Sequence, residues 1–180
     1  NSIPADHAAR FGALPVQFRG RVMPMNTFTA EILRKVSKSQ SVGKLNSDQF
    51  LLGLLSMPQM WMQVPFIALP DEQISIQYNL PKEHAPYALF FDHQGNYRLL
   101  PRLQEINHVP PAERSTADKN LIKVDERVNI VYQLLNHTMP GIFPHPNDPS
   151  HTWYAPGDDL SLFSGADSLF VSQAFEKYLS

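Results

Sequence analysis

The sequence predicts an α+β fold, a mostly helical single domain over residues 1–180 with a few short strands and proline-rich loops. Three observations lead there. Leu121, Val124, Val128, Val131 and Leu135 recur at spacings of three and four, an apolar seam along one helix face. Leu14, Val16 and Phe18 alternate with other residue types as a strand does, and so do Ile74, Ile76 and Tyr78. Sixteen prolines against eight glycines in 180 residues break the rest of the chain into rigid, irregular connections.

Taken in order, residues 5–10 form a short helix with Asp6 at its positive end. An edge-like strand follows through Phe18, and Gly20 turns the chain. Asn26 or Thr27 is expected to cap a helix whose Phe28, Ile32, Leu33 and Val36 share a face. Residues 37–44 read as a polar connector. Asn46 with Gln49 three places on has the spacing of a capping box, opening a helix through Leu55 that Pro58 limits. Residues 73–80 are expected to be a strand, and His93 to Asn96 a turn between two apolar pieces. A short helix is expected over 102–108. The longest spans 118–137, with Asp118 as its cap and Met139-Pro140-Gly141 as its stop. Beyond a proline-locked loop over 142–149, Ser164 and Asp167 are expected to cap a last helix carrying Val171 and Phe175.

Composition narrows the function classes. Fifteen basic and seventeen acidic residues give a formal charge of −2, so no cationic excess exists to neutralise phosphates, and no nucleic-acid partner is expected. The absence of cysteine removes thiolate metal sites, cysteine nucleophiles and covalent haem attachment. No apolar run reaches the roughly 18–20 residues that span a bilayer. The chain opens on Asn1, which reads as a processed product or a piece lifted from between membrane spans of a longer protein.

Four groups of residues carry chemistry. Arg10, Arg19 and Arg21 offer guanidinium forks that bind carboxylates, beside Asn26 at an expected helix start; the plainer outcome is that they brace a loop. Asp125, Arg127 and Asn129 flank the apolar seam, where they either join an arginine–carboxylate network, Arg21 included, or line a polar pocket. Seven histidines show no helical metal spacing, and no metal site is assigned. Met57, Met60 and Met62 surround Trp61, a cluster that either fills a core or supplies a thioether ligand. Serine-nucleophile motifs and phosphate-binding glycine loops are missing, so no catalytic residue is assigned.

The opening His7-Ala8-Ala9-Arg10-Phe11-Gly12, followed by Gly20-Arg21 and Pro24-x-Asn26-Thr27, then Lys123-x-Asp125-Glu126-Arg127-x-Asn129, resembles the soluble region of fused ResB/CcsA-type cytochrome c biogenesis proteins of Bacteroides-like bacteria. The resemblance implies a place on the periplasmic side of the bacterial inner membrane, anchored through the rest of a longer protein that exports haem and ligates it to apocytochrome c. It implies as partners the membrane-embedded remainder of that protein, apocytochrome c and haem. No cofactor is assigned to this domain itself. The tryptophan-rich haem-handling motif of the CcsA-like half has no counterpart, which favours a non-catalytic scaffold or partner-binding module. Arg10, Arg21, Asn26, Asp125, Arg127 and Asn129 are then the candidates for holding a partner or a haem propionate. A direct haem-binding domain is the alternative, with His7, His145 and Met60 as ligand candidates. An unrelated standalone periplasmic binding protein or hydrolase is the remaining one.

Overall fold

Local signals set most element boundaries in the computed structural model, which describes residues 3–144, 149–159, 163, 169, 171 and 173–177. Along the chain lie α1 (Ala5–Gly12), β1 (Pro15–Phe18), β2 (Arg21–Pro24), α2 (Met25–Ser37), β3 (Ser41–Val42), β4 (Leu45–Asn46), α3 (Ser47–Ser56) and α4 (Pro58–Trp61). There follow β5 (Pro65–Ala68), α5 (Glu72–Tyr78), β6 (His84–Pro86), a 3-10 turn (Tyr87–Phe90), α6 (Leu100–Asn107), α7 (Thr116–Leu135), β7 (Phe143–Pro144) and β8 (Trp153–Tyr154). The strands form antiparallel pairs, each strand with the next in sequence. The fold is α+β, as expected. Among the described residues no helix is long and apolar enough to cross a membrane.

The chain divides into two compact units. The first gathers Asn1–Arg34, Ser39–Pro58 and Tyr132–Ser180. In it α1 packs on α3, and Ala8, Phe11, Phe28, Phe50, Leu51 and Leu54 are buried. The expected capping box is present. Asn46 accepts from the Gln49 N–H at 2.9 Å, and the Gln49 side chain accepts from the Asn46 N–H at 3.2 Å. Two expectations are corrected. α2 starts at Met25, whose N–H donates to the Leu14 carbonyl at 2.7 Å, so Asn26 lies inside the first turn and does not cap it. Within 37–44 the connector carries the first strand of a hairpin, with Val42 paired to Leu45 across Gly43-Lys44; the left-handed backbone at Gly43 (φ +58°) makes this tight reversal accessible. The Ser164–Asp167 cap lies outside the described residues. Val171 and Phe175 beyond it are helical and buried.

Gln17 is the rivet of this unit. Its backbone exchanges both hydrogen bonds with Gly141, at 2.8 and 3.0 Å. Its side-chain carbonyl accepts from the Trp153 N–H at 2.8 Å, and its amide donates to the His151 carbonyl at 3.0 Å. A single strand residue thus fastens the segments on either side of the β7–β8 pair. The end of α7 is closed by His137 in the left-handed conformation (φ +55°). The Thr138 N–H reaches the Gln133 carbonyl and the His137 N–H reaches that of Leu134, a Schellman closure.

The second unit comprises Lys35–Lys38 and Gln59–Val131. Its core includes Trp61, Phe66, Ile67, Phe90, Leu99 and Ile106, together with the α7 seam residues Leu121, Val124, Val128 and Val131. Two further expectations are corrected. Residues 73–80 are not a strand: α5 takes up 73–78, with Asp71 capping through the Ile74 N–H (3.0 Å) and Asn79 closing the helix in the left-handed region (φ +49°). α7 begins at Thr116, and Ser115 is its cap. The Ser115 hydroxyl accepts from the Asp118 N–H at 3.1 Å while the Asp118 carboxylate accepts from the Ser115 N–H at 3.1 Å, so Asp118 is the third helical residue of a reciprocal box. The turn at 93–96 is present, drawn together by the Asp92 carboxylate on the N–H groups of Gln94 and Asn96.

Candidate functional site

α1 presents His7, Arg10 and Phe11 on one face, because residues three and four apart on a helix are neighbours. With Lys177 they line a cleft of about 240 Å³ in the first unit. The Arg10 guanidinium stands 4.0 Å from the Asp6 carboxylate, and both side chains are solvated, so the pair holds little of the arginine's charge. The exposed Arg10 guanidinium, with the His7 imidazole on the same helix face, offers N–H donors of the kind that bind a carboxylate. A volume of about 240 Å³ falls below the ~300–1,000 Å³ of sites that enclose a small molecule, so the cleft suits the anionic end of a larger partner.

Arg19 and Arg21 close the β1–β2 hairpin, with left-handed backbone at Arg19 (φ +51°) and Gly20 (φ +75°), the signature of a two-residue type I′ turn. Both arginines are exposed. The Arg19 guanidinium lies 5.0 Å over the Phe18 ring, which meets Phe28 edge-on. Asn26 is exposed, its side-chain oxygen 3.3 Å from the Thr27 hydroxyl.

Of the remaining sequence candidates, Asp125, Arg127, Asn129 and Met60 fall in the second unit. The Asp125 carboxylate accepts from the Tyr97 hydroxyl at 2.9 Å and is also hydrogen-bonded by Asn129. Burial raises the Asp125 pKa above the ordinary carboxylate range, against those two bonds. Burial, then the Asp125 charge, pushes the Tyr97 phenol well above its usual value. Arg127 is buried, donates to the Ala68 carbonyl, and has its pKa lowered by desolvation. Glu126 is paired with Lys35 at 2.7 Å. Met60 is exposed on α4. His145 lies outside the described residues. The structure therefore brings His7 together with Arg10, and Asp125 with Asn129, and distributes the described candidates over both units.

The second unit has its own cleft of about 390 Å³, lined in part by Asp71, Gln77, Arg102 and Asp118. Its charges are spent internally. Arg102 spans Glu105 (2.6 Å) and Asp118 (2.8 Å), while Asp71 takes the Asn120 amide at 2.6 Å. The Ser115 hydroxyl, with the Ser115 N–H and Arg102 adding to it, holds the Asp118 carboxyl below its ordinary pKa. Among the described residues, no group of three potential metal ligands is assembled. Sequence reasoning missed Lys177, which lines the same cleft as His7 from 170 positions away, and Gln17. The one local signal for Gln17 was an amide inside an otherwise apolar strand.

Two expected outcomes follow from the half-buried titratable groups Asp125 and His137. Asp125→Asn keeps an oxygen for Tyr97 and removes a charge that burial disfavours. Its melting temperature at neutral pH should match or exceed the parent's, the advantage shrinking as pH falls through the raised pKa of Asp125 and the parent's carboxyl is itself protonated. The His137 pKa is lowered by burial, against the Glu176 charge and a bond to the Leu55 carbonyl. Its contribution to stability is thus complete above the ordinary histidine value of about 6.5 and is lost as pH falls through the lowered one. Melting curves from pH 8 to 5 should show this loss, and His137→Asn, which tolerates the left-handed backbone, should flatten it.

No family model matches the chain. Over 166 residues, 91% of its length, the chain is 33% identical to Protein NrfI of Wolinella succinogenes. The matched stretch is 18% of that protein, so the chain spans under a fifth of the relative's length.

Proposed function

We propose that this chain is a partner-binding module of a larger cytochrome c biogenesis protein, of the fused ResB/CcsA type, standing on the periplasmic side of the inner membrane. The likeness to Protein NrfI over nine-tenths of the chain supports the cytochrome c maturation role. The observation that carries the binding role is the cationic cleft of His7, Arg10, Phe11 and Lys177. It offers charge and an aromatic side chain, and among the described residues its lining holds no nucleophile paired with a base. Its occupant is a carboxylate on apocytochrome c or on the membrane-embedded remainder of the same protein. The alternative occupant is a haem propionate, with His7 the residue that would ligate the iron; that reading is favoured by an imidazole and a guanidinium lining one cleft.

The test uses the full-length protein in cells that depend on it for cytochrome maturation. Arg10→Glu with Lys177→Glu should reduce covalently haem-bearing cytochromes at least tenfold with the protein still present at parental levels. Full maturation by the double variant would remove the cleft from the mechanism. Titrating haem into the purified chain separates the two occupants: a saturable Soret shift abolished by His7→Ala would assign the cleft to haem, and an unshifted spectrum would leave it to a protein carboxylate.

A further inference from the structure

The β1–β2 ladder has one closed side and one open side. Gln17 sends both its backbone groups outward to Gly141, so Gln17 and Val22 form a non-hydrogen-bonded pair across the ladder. The Val22 N–H and C=O must then point away from β1, and among the described residues no strand or loop pairs with them. The Val22 side chain is 57% exposed. Pro15 faces Pro24 at the far end of the ladder, where neither has an N–H to offer, so the open edge is confined to the hairpin end. There the edge is bracketed by the exposed guanidinium groups of Arg19 and Arg21.

From this we infer that β2 is a docking edge for an extended acidic segment of a partner protein, which adds as a strand beside Val22 and sets carboxylates against Arg19 and Arg21. Strand addition takes its affinity from backbone hydrogen bonds and its selectivity from flanking side chains, and both parts are present here. Charge complementarity selects the occupant. Residues 15–24 contain two arginines and no acidic residue, so a second copy of the hairpin would gather four guanidinium groups in one short ladder with nothing to neutralise them. The open N–H and C=O of Val22 also mark a pairing hazard that the two like charges keep from being satisfied by self-association. This edge is separate from the His7–Lys177 cleft and does not depend on the cytochrome reading.

The experiment is amide hydrogen exchange of the 180-residue chain with a blocked hexapeptide alternating valine and glutamate, and with its valine–lysine counterpart. The glutamate peptide should slow exchange at Val22 at least tenfold, and the lysine peptide should not. Val22→Pro removes the outward donor without breaking a ladder bond and should weaken binding of the glutamate peptide at least tenfold. Should that variant unfold, Arg19→Glu with Arg21→Glu provides the second reading, reversing the preference toward the lysine peptide. Equal affinity for both peptides would overturn the proposal. So would binding that leaves Val22 exchange unchanged, or Val22 protection that rises with protein concentration alone, the mark of self-pairing.

Discussion

Gly141→Ala is expected to destabilise the first unit by about 2–3 kcal/mol, measured by urea unfolding, and to free the β7–β8 pair from β1. A methyl group at this position would sit 2.5 Å from the Trp153 carbonyl oxygen and 2.9 Å from the Trp153 carbonyl carbon and Cβ. Neither backbone can retreat. Gly141 is bonded on both sides to Gln17, and the Ile142 N–H donates to the Tyr154 carbonyl at 2.9 Å. Trp153 is itself held from its N–H by the Gln17 side chain. The comparison that isolates the mechanism is Gly95→Ala, where nothing lies within 4 Å of the added methyl but the backbone is left-handed (φ +84°). That variant should cost about 1 kcal/mol, the conformational penalty alone. If both variants cost the same, crowding against Trp153 is not what Gly141 avoids.

The contrast between these glycines bears on what the chain discloses before it folds. Signals that act within a few residues were legible: the Asn46–Gln49 box, the turn held by Asp92 and the α7 seam from Leu121 to Val131 lie where spacing alone puts them, whereas at the end of the seam Leu134 is buried and the expected Leu135 only half-buried. His7 and Arg10, three apart, likewise had to share a helix face. What could not be read is anything that joins distant positions. Gln17 acquires its importance from Gly141, His151 and Trp153, and the cationic cleft is completed by Lys177. The expected network of Asp125 with an arginine has the same character. In the structure its carboxylate is held by Tyr97, 28 positions earlier, a residue whose phenol gave no sign in sequence of facing a helix.

The charges of the molecule also sort by what binds them. In the second unit Arg98, Arg102 and Arg127 are engaged by carbonyls or carboxylates: Arg98 by those of Leu89 and Tyr78, Arg102 by Asp118 and Glu105, Arg127 by Ala68. A guanidinium so engaged holds the fold together and has few donors left for a ligand. In the first unit Arg10, Arg19 and Arg21 face solvent. Exposed cations on a helix and on a tight hairpin are presented with little freedom of the supporting backbone, which lowers the ordering cost of binding an anion. That division is why partner binding is assigned to the first unit.

The segment whose secondary structure was misread supplies a prediction of comparable size. Ile74→Gln is expected to cost about 3–5 kcal/mol, whereas Ile76→Gln should stay within about 0.5 kcal/mol of the parent. In a strand Ile74, Ile76 and Tyr78 share one face, and the two substitutions would hurt alike. In a helix positions two apart point to opposite sides, and α5 accordingly buries Ile74 to 4% exposure while leaving Ile76 at 74%. The two periods agree on residues four apart, which is why Ile74 and Tyr78 could not discriminate between them; Ile76 alone can. What tips the balance is capping at both ends. Asp71 takes the Ile74 N–H, and Asn79 accepts the left-handed backbone that lets the Leu80 N–H return to the Ser75 carbonyl at 2.8 Å. Asp71 is anchored in turn by the Asn120 amide from α7, so tertiary structure reinforces a helix of only seven residues that would not hold alone. Equal losses at the two isoleucines in chemical unfolding would restore the strand and dismantle that account.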